Sequence, residues 1–181
     1  DPEVALWRAY AAALGARPEL ARLEWGRAGD RLDAYPDPLR RRLGLELAAS
    51  LIEHGAAPEA RSLLASLDGA ALPPADRARL ALLRGLDHAS AGEHRQAEAA
   101  FASAAAGSDA DIAARAAFLL TGSRLTRGAM PPAQALAELT AQRPGWHGHP
   151  WATRMLTRLA ELQAEHGRPL EAIATWQEAG R

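Results

Sequence analysis

The chain contains no cysteine, no lysine and no asparagine in its 181 residues. Without cysteine it forms no disulfide, offers no thiolate ligand to a metal and has no cysteine nucleophile. This absence leaves both the cytoplasm and the periplasm open as compartments for a soluble protein. All 21 strongly basic side chains are arginines, and alanine, glycine and proline are frequent. This composition is typical of a GC-rich bacterial coding sequence.

Excess charge and long apolar runs are also missing. The formal net charge is −1 and no basic block occurs, so we expect neither nucleic acid nor an anionic membrane surface as the main partner. Charged residues or glycine interrupt every apolar run well before the ~18 residues that a membrane span requires, and we expect no membrane insertion.

Enzymatic signatures are absent from the sequence as well. We find no GxSxG, no glycine-rich phosphate loop and no HExxH motif. The sequence therefore predicts a protein that is not an enzyme and needs no cofactor.

Alanine and leucine dominate the composition, whereas valine, isoleucine and phenylalanine are scarce, which favours an all-α fold. Glycines that each separate two apolar-periodic segments recur every 36 to 40 residues, at Gly15, Gly55, Gly92, Gly128 and Gly167. This spacing predicts about five helix-turn-helix units in a single domain. Their approximate ranges are 1–36, 37–72, 73–108, 109–148 and 149–181.

Two of these units carry a more specific pattern. The third unit has Gly85, Gly92, Ala97, Phe101 and Ala104, and the fifth has Leu159, Ala160, Gly167, Ala172, Trp176 and Ala179 at corresponding positions. This pattern resembles the tetratricopeptide repeat (TPR). The resemblance implies a right-handed α-solenoid of about five antiparallel helix pairs that binds proteins; the alternative is an ordinary helical bundle with accidental glycine spacing.

Proline positions indicate where the helices begin, because proline is accepted in a first helical turn and penalised inside a helix. We expect helices near 2–14, 18–34, 37–54, 58–67, 74–91, 93–106, 109–127, 131–142, 150–166 and 169–179. Prolines at these starts are Pro2, Pro18, Pro38, Pro58, Pro74, Pro132, Pro150 and Pro169. Asp1, Asp37 and Asp109 are the predicted N-terminal caps.

Arginine recurs thirteen residues before four of the five turn glycines, whereas the first unit has Pro2 there. In the TPR family this register points into the concave groove, and apolar residues follow on the same face. The predicted partner-binding residues are Arg42, Leu45, Arg79, Leu82, Leu86, Arg115, Phe118 and Arg154. A guanidinium row would suit an acidic or C-terminal peptide segment. The alternatives are local ion pairs for the arginines and core packing for the apolar residues.

Two further kinds of site are not expected, a carboxylate site built on asparagine and lysine and a metal site built on histidine. Some TPR relatives bind carboxylates through asparagine and lysine, and this sequence has neither, so that activity is not transferred. His147 and His149 lie between Trp146 and Trp151, but two imidazoles without a third ligand do not make a metal site. We expect instead a loop that its tryptophans anchor against neighbouring helices.

Three functions remain open from the sequence. The first is a bacterial scaffold that binds a partner protein or peptide in its groove. The second is self-assembly within a larger protein or as a homo-oligomer, because the last helix presents Leu170, Ile173 and Trp176. The third is an accessory α-superhelical region of a cell-envelope enzyme. Since the chain starts at Asp1 and its last helix is apolar, we expect it to be part of a longer protein.

Overall fold

The computed structural model describes residues 1–67, 72–148 and 151–180, and these segments are all-helical, with no β-strand. Ten α-helices and two 3₁₀ turns, Gly29–Ala34 and Arg143–Trp146, make up the described parts. In chain order, α1 to α10 are Pro2–Leu14, Pro18–Ala28, Asp37–Glu53, Ala57–Ser66, Pro74–Ser90, His94–Ala105, Ala110–Thr126, Pro132–Gln142, Ala152–Glu165 and Pro169–Ala179.

The helices pack in neighbouring pairs along the chain. Within each pair, the odd-numbered helix contacts the even-numbered helix that follows it. The odd-numbered helices α1, α3, α5 and α7 also contact one another in succession, and each of α2, α4, α6 and α8 contacts the next odd-numbered helix. The apolar core is divided among three clusters that follow one another along the array.

The turn within each pair has the same hydrogen-bonded geometry. One residue adopts a left-handed backbone, and the amide after it donates to a carbonyl five residues back, at 2.8 to 2.9 Å. Glycine takes the left-handed position in four turns, at Gly55, Gly92, Gly128 and Gly167, with φ between 71° and 79°. Glycine suits this helix-ending bond because it has no Cβ to clash in the left-handed region.

The first turn departs from the predicted register. Gly15 has φ −85°, and the left-handed residue is Ala16 with φ 50°. The same bond follows from it, since Arg17 N donates to Ala12 O at 2.9 Å. The prediction of Gly15 as the turn residue is therefore wrong by one position. Because the left-handed residue of this turn is an alanine, glycine spacing does not indicate its correct position.

With Ala16 as the reference, the first unit matches the others. Ala9, Ala21 and Ala28 are buried and take the positions of Gly85, Ala97 and Ala104 in the third unit. The fourth unit has two extra residues after its turn, and Ala135 and Leu139 are buried where the third unit has Ala97 and Phe101. Small residues therefore recur at the helix contacts of these units, as the sequence predicts.

The contact between Gly85 and Phe101 shows why a small residue is needed. A Cβ built on Gly85 would lie 2.4 Å from Cδ1 and Cε1 of the Phe101 ring. No real Cβ approaches another heavy atom so closely, and the ring is only 2% exposed. The helices α5 and α6 therefore pack at a distance that only glycine allows at this position.

The predicted helix starts agree closely with the structure. Prolines occupy first-turn positions in α1, α3, α4, α5, α8 and α10, and Pro18 begins α2. Pro150 lies outside the described residues. The segment predicted as one helix over 18–34 is instead α2 followed by a 3₁₀ turn, because Asp30 leaves the helical dihedral region with φ −82° and ψ 16°.

Two of the three predicted caps are confirmed. The Asp1 carboxylate accepts from Glu3 N at 2.9 Å, and the Asp109 carboxylate accepts from Ile112 N at 3.0 Å. The prediction for Asp37 is wrong: α3 already includes Asp37, and its carboxylate pairs with Arg40 instead of capping.

Candidate functional site

Two adjoining pockets lie where α3, α5, α7 and the start of α9 face one another. Their volumes are about 340 and 390 Å³, and both are lined by Glu53, Arg115 and Trp151. The 340 Å³ pocket is the more apolar of the two, and we call it the apolar pocket. Its other lining residues are Ile52, Leu86, Ser90, Phe118, Leu119, Arg154 and Met155. The 390 Å³ pocket, the polar pocket, adds Glu46, Ala49, Arg79, Leu82, Leu83, Asp111 and Ile112. Together they form one groove.

The structure brings six of the eight predicted groove residues to this place. They are Arg79, Leu82, Leu86, Arg115, Phe118 and Arg154. Leu45 belongs to the apolar core, because its side chain is 2% exposed and packs within the first cluster. Arg42 is exposed on α3 and lines neither pocket. Register alone placed Leu45 and Arg42 with the others, but it does not tell which face of α3 the neighbouring helices cover.

Arg79 is fully paired within the chain. Its Nη1 and Nη2 atoms each donate to one oxygen of Glu46 at 2.8 Å, which is the two-bond geometry that guanidinium and carboxylate prefer. These hydrogen bonds raise the pKa of Arg79 above its ordinary value. Arg79 therefore stabilises the contact between α5 and α3 and presents little unsatisfied charge to a ligand.

Arg115 is held differently. Its Nη2 makes one contact of 3.3 Å with Oε1 of Glu53, a residue 62 positions away on α3. Its Cζ atom also lies 3.4 Å from the centroid of the Trp151 ring. The pKa of Arg115 is lowered, chiefly by burial, and the contact with Glu53 acts in the opposite direction. An arginine stays protonated at neutral pH, so the groove contains a partly buried cation that is incompletely balanced.

Arg154 contacts the same indole. Its Cζ atom lies 4.6 Å from the ring centroid of Trp151, and its side chain is exposed at the rim of the groove. Within the described segments no carboxylate forms an ion pair with Arg154. Its positive charge is near enough to contribute to lowering the pKa of Arg115. Two guanidinium groups thus share one aromatic ring and repel each other.

The floor of the groove is apolar and firmly supported. Phe118 meets the ring of Trp146 edge to face, with centroids 5.7 Å apart, and Trp146 is 1% exposed. Leu82 is 4% exposed, so it serves both the core and the groove floor. The sequence offered core packing and groove lining as alternatives for these residues, and for Leu82 both descriptions apply.

The sequence interpretation missed the residues that complete the groove. Trp151 was expected only to anchor a loop, a description that suits Trp146 better. Glu46 and Glu53 lie on α3, and their partners lie on other helices. Glu46 pairs with Arg79 on α5, and Glu53 contacts Arg115 on α7. Sequence register within one helix does not indicate such pairs. A signal for Trp151 existed in its position just before α9, three residues ahead of Arg154.

A larger cavity of about 790 Å³ lies elsewhere, between α2 and the beginning of α4. It is open, and an exposed ion pair between Arg22 and Glu59 is among its lining residues. An exposed pair of this kind contributes little energy and indicates no particular ligand. The groove is the stronger candidate because it combines an apolar floor with a partly buried, incompletely balanced cation.

The structure offers no evidence for a metal centre in the segments it describes: no three His, Asp or Glu side chains are grouped there as metal ligands would be. His147 is exposed, and His149 lies outside the described residues. Of the helices in these segments, none has both the length and the apolar character that crossing a membrane requires.

No protein-family model matches the chain, and no curated protein matches it. The functional interpretation therefore depends on the geometry of the groove.

Proposed function

We propose that this chain is a protein-interaction module, a right-handed stack of five TPR-like helix pairs that binds a segment of a partner protein in its groove. The observation that carries the proposal is the pair of adjoining pockets lined by α3, α5, α7 and the start of α9. Grooves lined by successive helices are suited to an extended or helical peptide with apolar anchors. The stack itself is supported by five turns of equal geometry and by contacts between successive odd-numbered helices from α1 to α7.

The charges of the groove indicate the chemical character of the partner segment. A continuous arginine row would favour a strongly acidic segment, but Arg79 is paired with Glu46 and Arg42 lies outside the groove. Among the described residues that line the groove, positive charge is least balanced at the end formed by Arg115 and Arg154, where Arg115 has one contact with Glu53. We therefore infer a partner segment with apolar anchors and a localised negative charge, in which the apolar contacts supply most of the affinity.

A random peptide library displayed on phage, selected against the purified chain, tests the proposal. The Arg154→Glu variant serves to identify groove binders, because Arg154 is exposed and its replacement should leave the fold intact. Arg95→Glu is the matched control, since Arg95 is also exposed but lies on α6, away from the groove. We expect peptides that bind the parent and Arg95→Glu but bind Arg154→Glu at least about tenfold more weakly. Failure to select any such peptide would remove the proposed function.

Self-assembly is a second candidate, favoured by exposed apolar side chains at both ends of the array. On α10, Leu170, Ile173 and Trp176 are 82%, 50% and 41% exposed, and on α1 Val4 and Trp7 are 45% and 41% exposed. Light scattering across a concentration series tests this candidate with the Ile173→Glu variant. Association of the parent that this variant abolishes would support it, whereas a monomeric parent at high concentration would dismiss it.

A further inference from the structure

The apolar pocket has an uneven distribution of charge. Its floor consists of aliphatic, aromatic and methionine side chains, among them Leu86, Phe118 and Met155. The charged residues that line it are Arg115, Arg154 and Glu53, which gives two cations to one carboxylate. A pocket that is apolar below and cationic above fits a ligand that joins an apolar group to an anion.

A comparison of two arginines shows where an anion would be accepted. Arg79 has a carboxylate matched to it by two hydrogen bonds of 2.8 Å. Arg115 has a single contact with Glu53 at 3.3 Å, and the Glu53 carboxylate reaches it from α3, across the groove. Because a guanidinium binds carboxylate best through two parallel hydrogen bonds, the pairing of Arg115 is incomplete.

The second cation strengthens this site. Arg154 lies on the same indole as Arg115, and its positive charge opposes that of Arg115, while Glu53 is the carboxylate that attracts Arg115. An anion placed between two such guanidinium groups would relieve the repulsion and gain charge-assisted hydrogen bonds in a partly desolvated place. The Trp151 ring holds both guanidinium groups near this position without neutralising them.

We propose that the apolar pocket is a subsite for a carboxylate attached next to an apolar side chain, that Arg115 and Arg154 bind this carboxylate, and that Glu53 competes for Arg115 when the groove is empty. This inference rests on the proposed peptide-binding function and names the ligand class of that same groove. The volume of about 340 Å³ suits one bulky side chain with its neighbouring backbone.

The competing role of Glu53 gives the inference a distinctive signature. Removing a carboxylate from a merely structural ion pair should weaken the site or leave it unchanged. Removing a competitor should instead strengthen the binding of an external carboxylate, because Arg115 then does not have to give up its contact with Glu53 when the ligand binds. Glu53 is about one-third exposed, so Glu53→Gln replaces it with a side chain of equal size that water still reaches.

Three small probes examine the ligand class by NMR titration of the ¹⁵N-labelled chain. N-acetyl-leucine carries a terminal carboxylate, N-acetyl-leucinamide is its neutral counterpart, and N-acetyl-leucyl-glutamyl-amide carries an internal one. We expect the terminal carboxylate to bind about tenfold more tightly than the amide, with shifts of the Trp151 indole and of the α7 amides. The third probe separates the two sources of carboxylate, a chain terminus and an acidic side chain.

Variants then test the residue roles. Glu53→Gln should bind N-acetyl-leucine several-fold more tightly and the amide equally well, whereas Arg154→Gln should lose most of the preference for the carboxylate. Arg95→Gln is the control and should behave as the parent. Circular dichroism melts establish that each variant is folded.

Several outcomes would overturn the inference. These are equal binding of acid and amide, absence of binding by both acids, or acid binding by Glu53→Gln that is weaker than the parent's or unchanged. If library peptides that depend on Arg154 are selected but N-acetyl-leucine and its amide bind equally, the proposed function stands and the carboxylate subsite falls. If no library peptide depends on Arg154 and no probe binds, both fall together.

Discussion

Replacing Gly85 by alanine measures how closely the two helices of a pair must approach. The added Cβ would lie 2.4 Å from two atoms of the Phe101 ring, whereas carbon atoms in contact are ordinarily about 3.5–4.0 Å apart. The ring must therefore move by about 1 Å or more, and it is almost fully buried. Overpacking typically costs ~1–3 kcal/mol, and the approach of 2.4 Å places this site at the upper end, ~2–3 kcal/mol, of which the better helix propensity of alanine returns ~1 kcal/mol. We expect a net loss of about 1–2 kcal/mol.

Gly122 provides the matched control for this substitution. It lies inside α7, and a Cβ built on it meets no heavy atom within 4 Å. Gly122→Ala should therefore gain ~0.5–1 kcal/mol through helix propensity alone. In urea unfolding the two variants should have midpoints on opposite sides of the parent, separated by about 1 M.

The result that would refute this reasoning is a Gly85→Ala variant as stable as the parent or more stable. A second comparison identifies the cause of any loss. In a Phe101→Leu background, the smaller side chain should reduce the cost of Gly85→Ala, and the two changes should be coupled. If the two effects are additive, the loss of stability in Gly85→Ala arises from a contact other than the one with the Phe101 ring.

Three further predictions concern other parts of the molecule. Ala16→Gly should raise the free energy of unfolding by ~0.5–1 kcal/mol, because glycine adopts the left-handed backbone without strain, and an unchanged melting temperature would argue against that strain. Glu46→Gln should cost about 1 kcal/mol in chemical unfolding, because Arg79 loses its two-bond partner; no change would mean that water replaces the pair without loss. Arg127 lowers the pKa of Glu98 through hydrogen bonds, so this pair stabilises the fold fully above about pH 5 and is lost as the pH falls through the folded pKa. The Glu98→Gln variant should accordingly lose less stability than the parent between about pH 5 and pH 3 in acid titration monitored by circular dichroism.

Most of the secondary structure follows from local signals in the sequence. Proline at first-turn positions and glycine at left-handed turns are constraints on single residues, so they can be recognised without knowing the fold. Ala16 shows the limit of such signals, because it adopts the left-handed backbone against the preference of its own residue type, in a unit where Ala9, Ala21 and Ala28 are buried. No local rule predicts a left-handed alanine.

The groove was predictable only in part, for a related reason. Helical register indicates which residues share a face, and it led to Arg79, Arg115 and Phe118. It does not indicate which helices meet across a groove, and the contact between Arg115 and Glu53 spans 62 residues. The pairing of Arg79 with Glu46, the sharing of Trp151 by two arginines and the burial of Leu45 all depend on how neighbouring helices approach one another.

Chemical-shift mapping with a library-selected peptide tests the central claim most directly. The account predicts that ¹H–¹⁵N shifts on peptide addition concentrate in α3, α5, α7 and the beginning of α9, including the indole of Trp151. The Arg154→Glu variant should lose these shifts at equal peptide concentration, and Arg95→Glu should keep them. Shifts confined to α10, or to the cavity between α2 and α4, would contradict the account and place the partner on another surface.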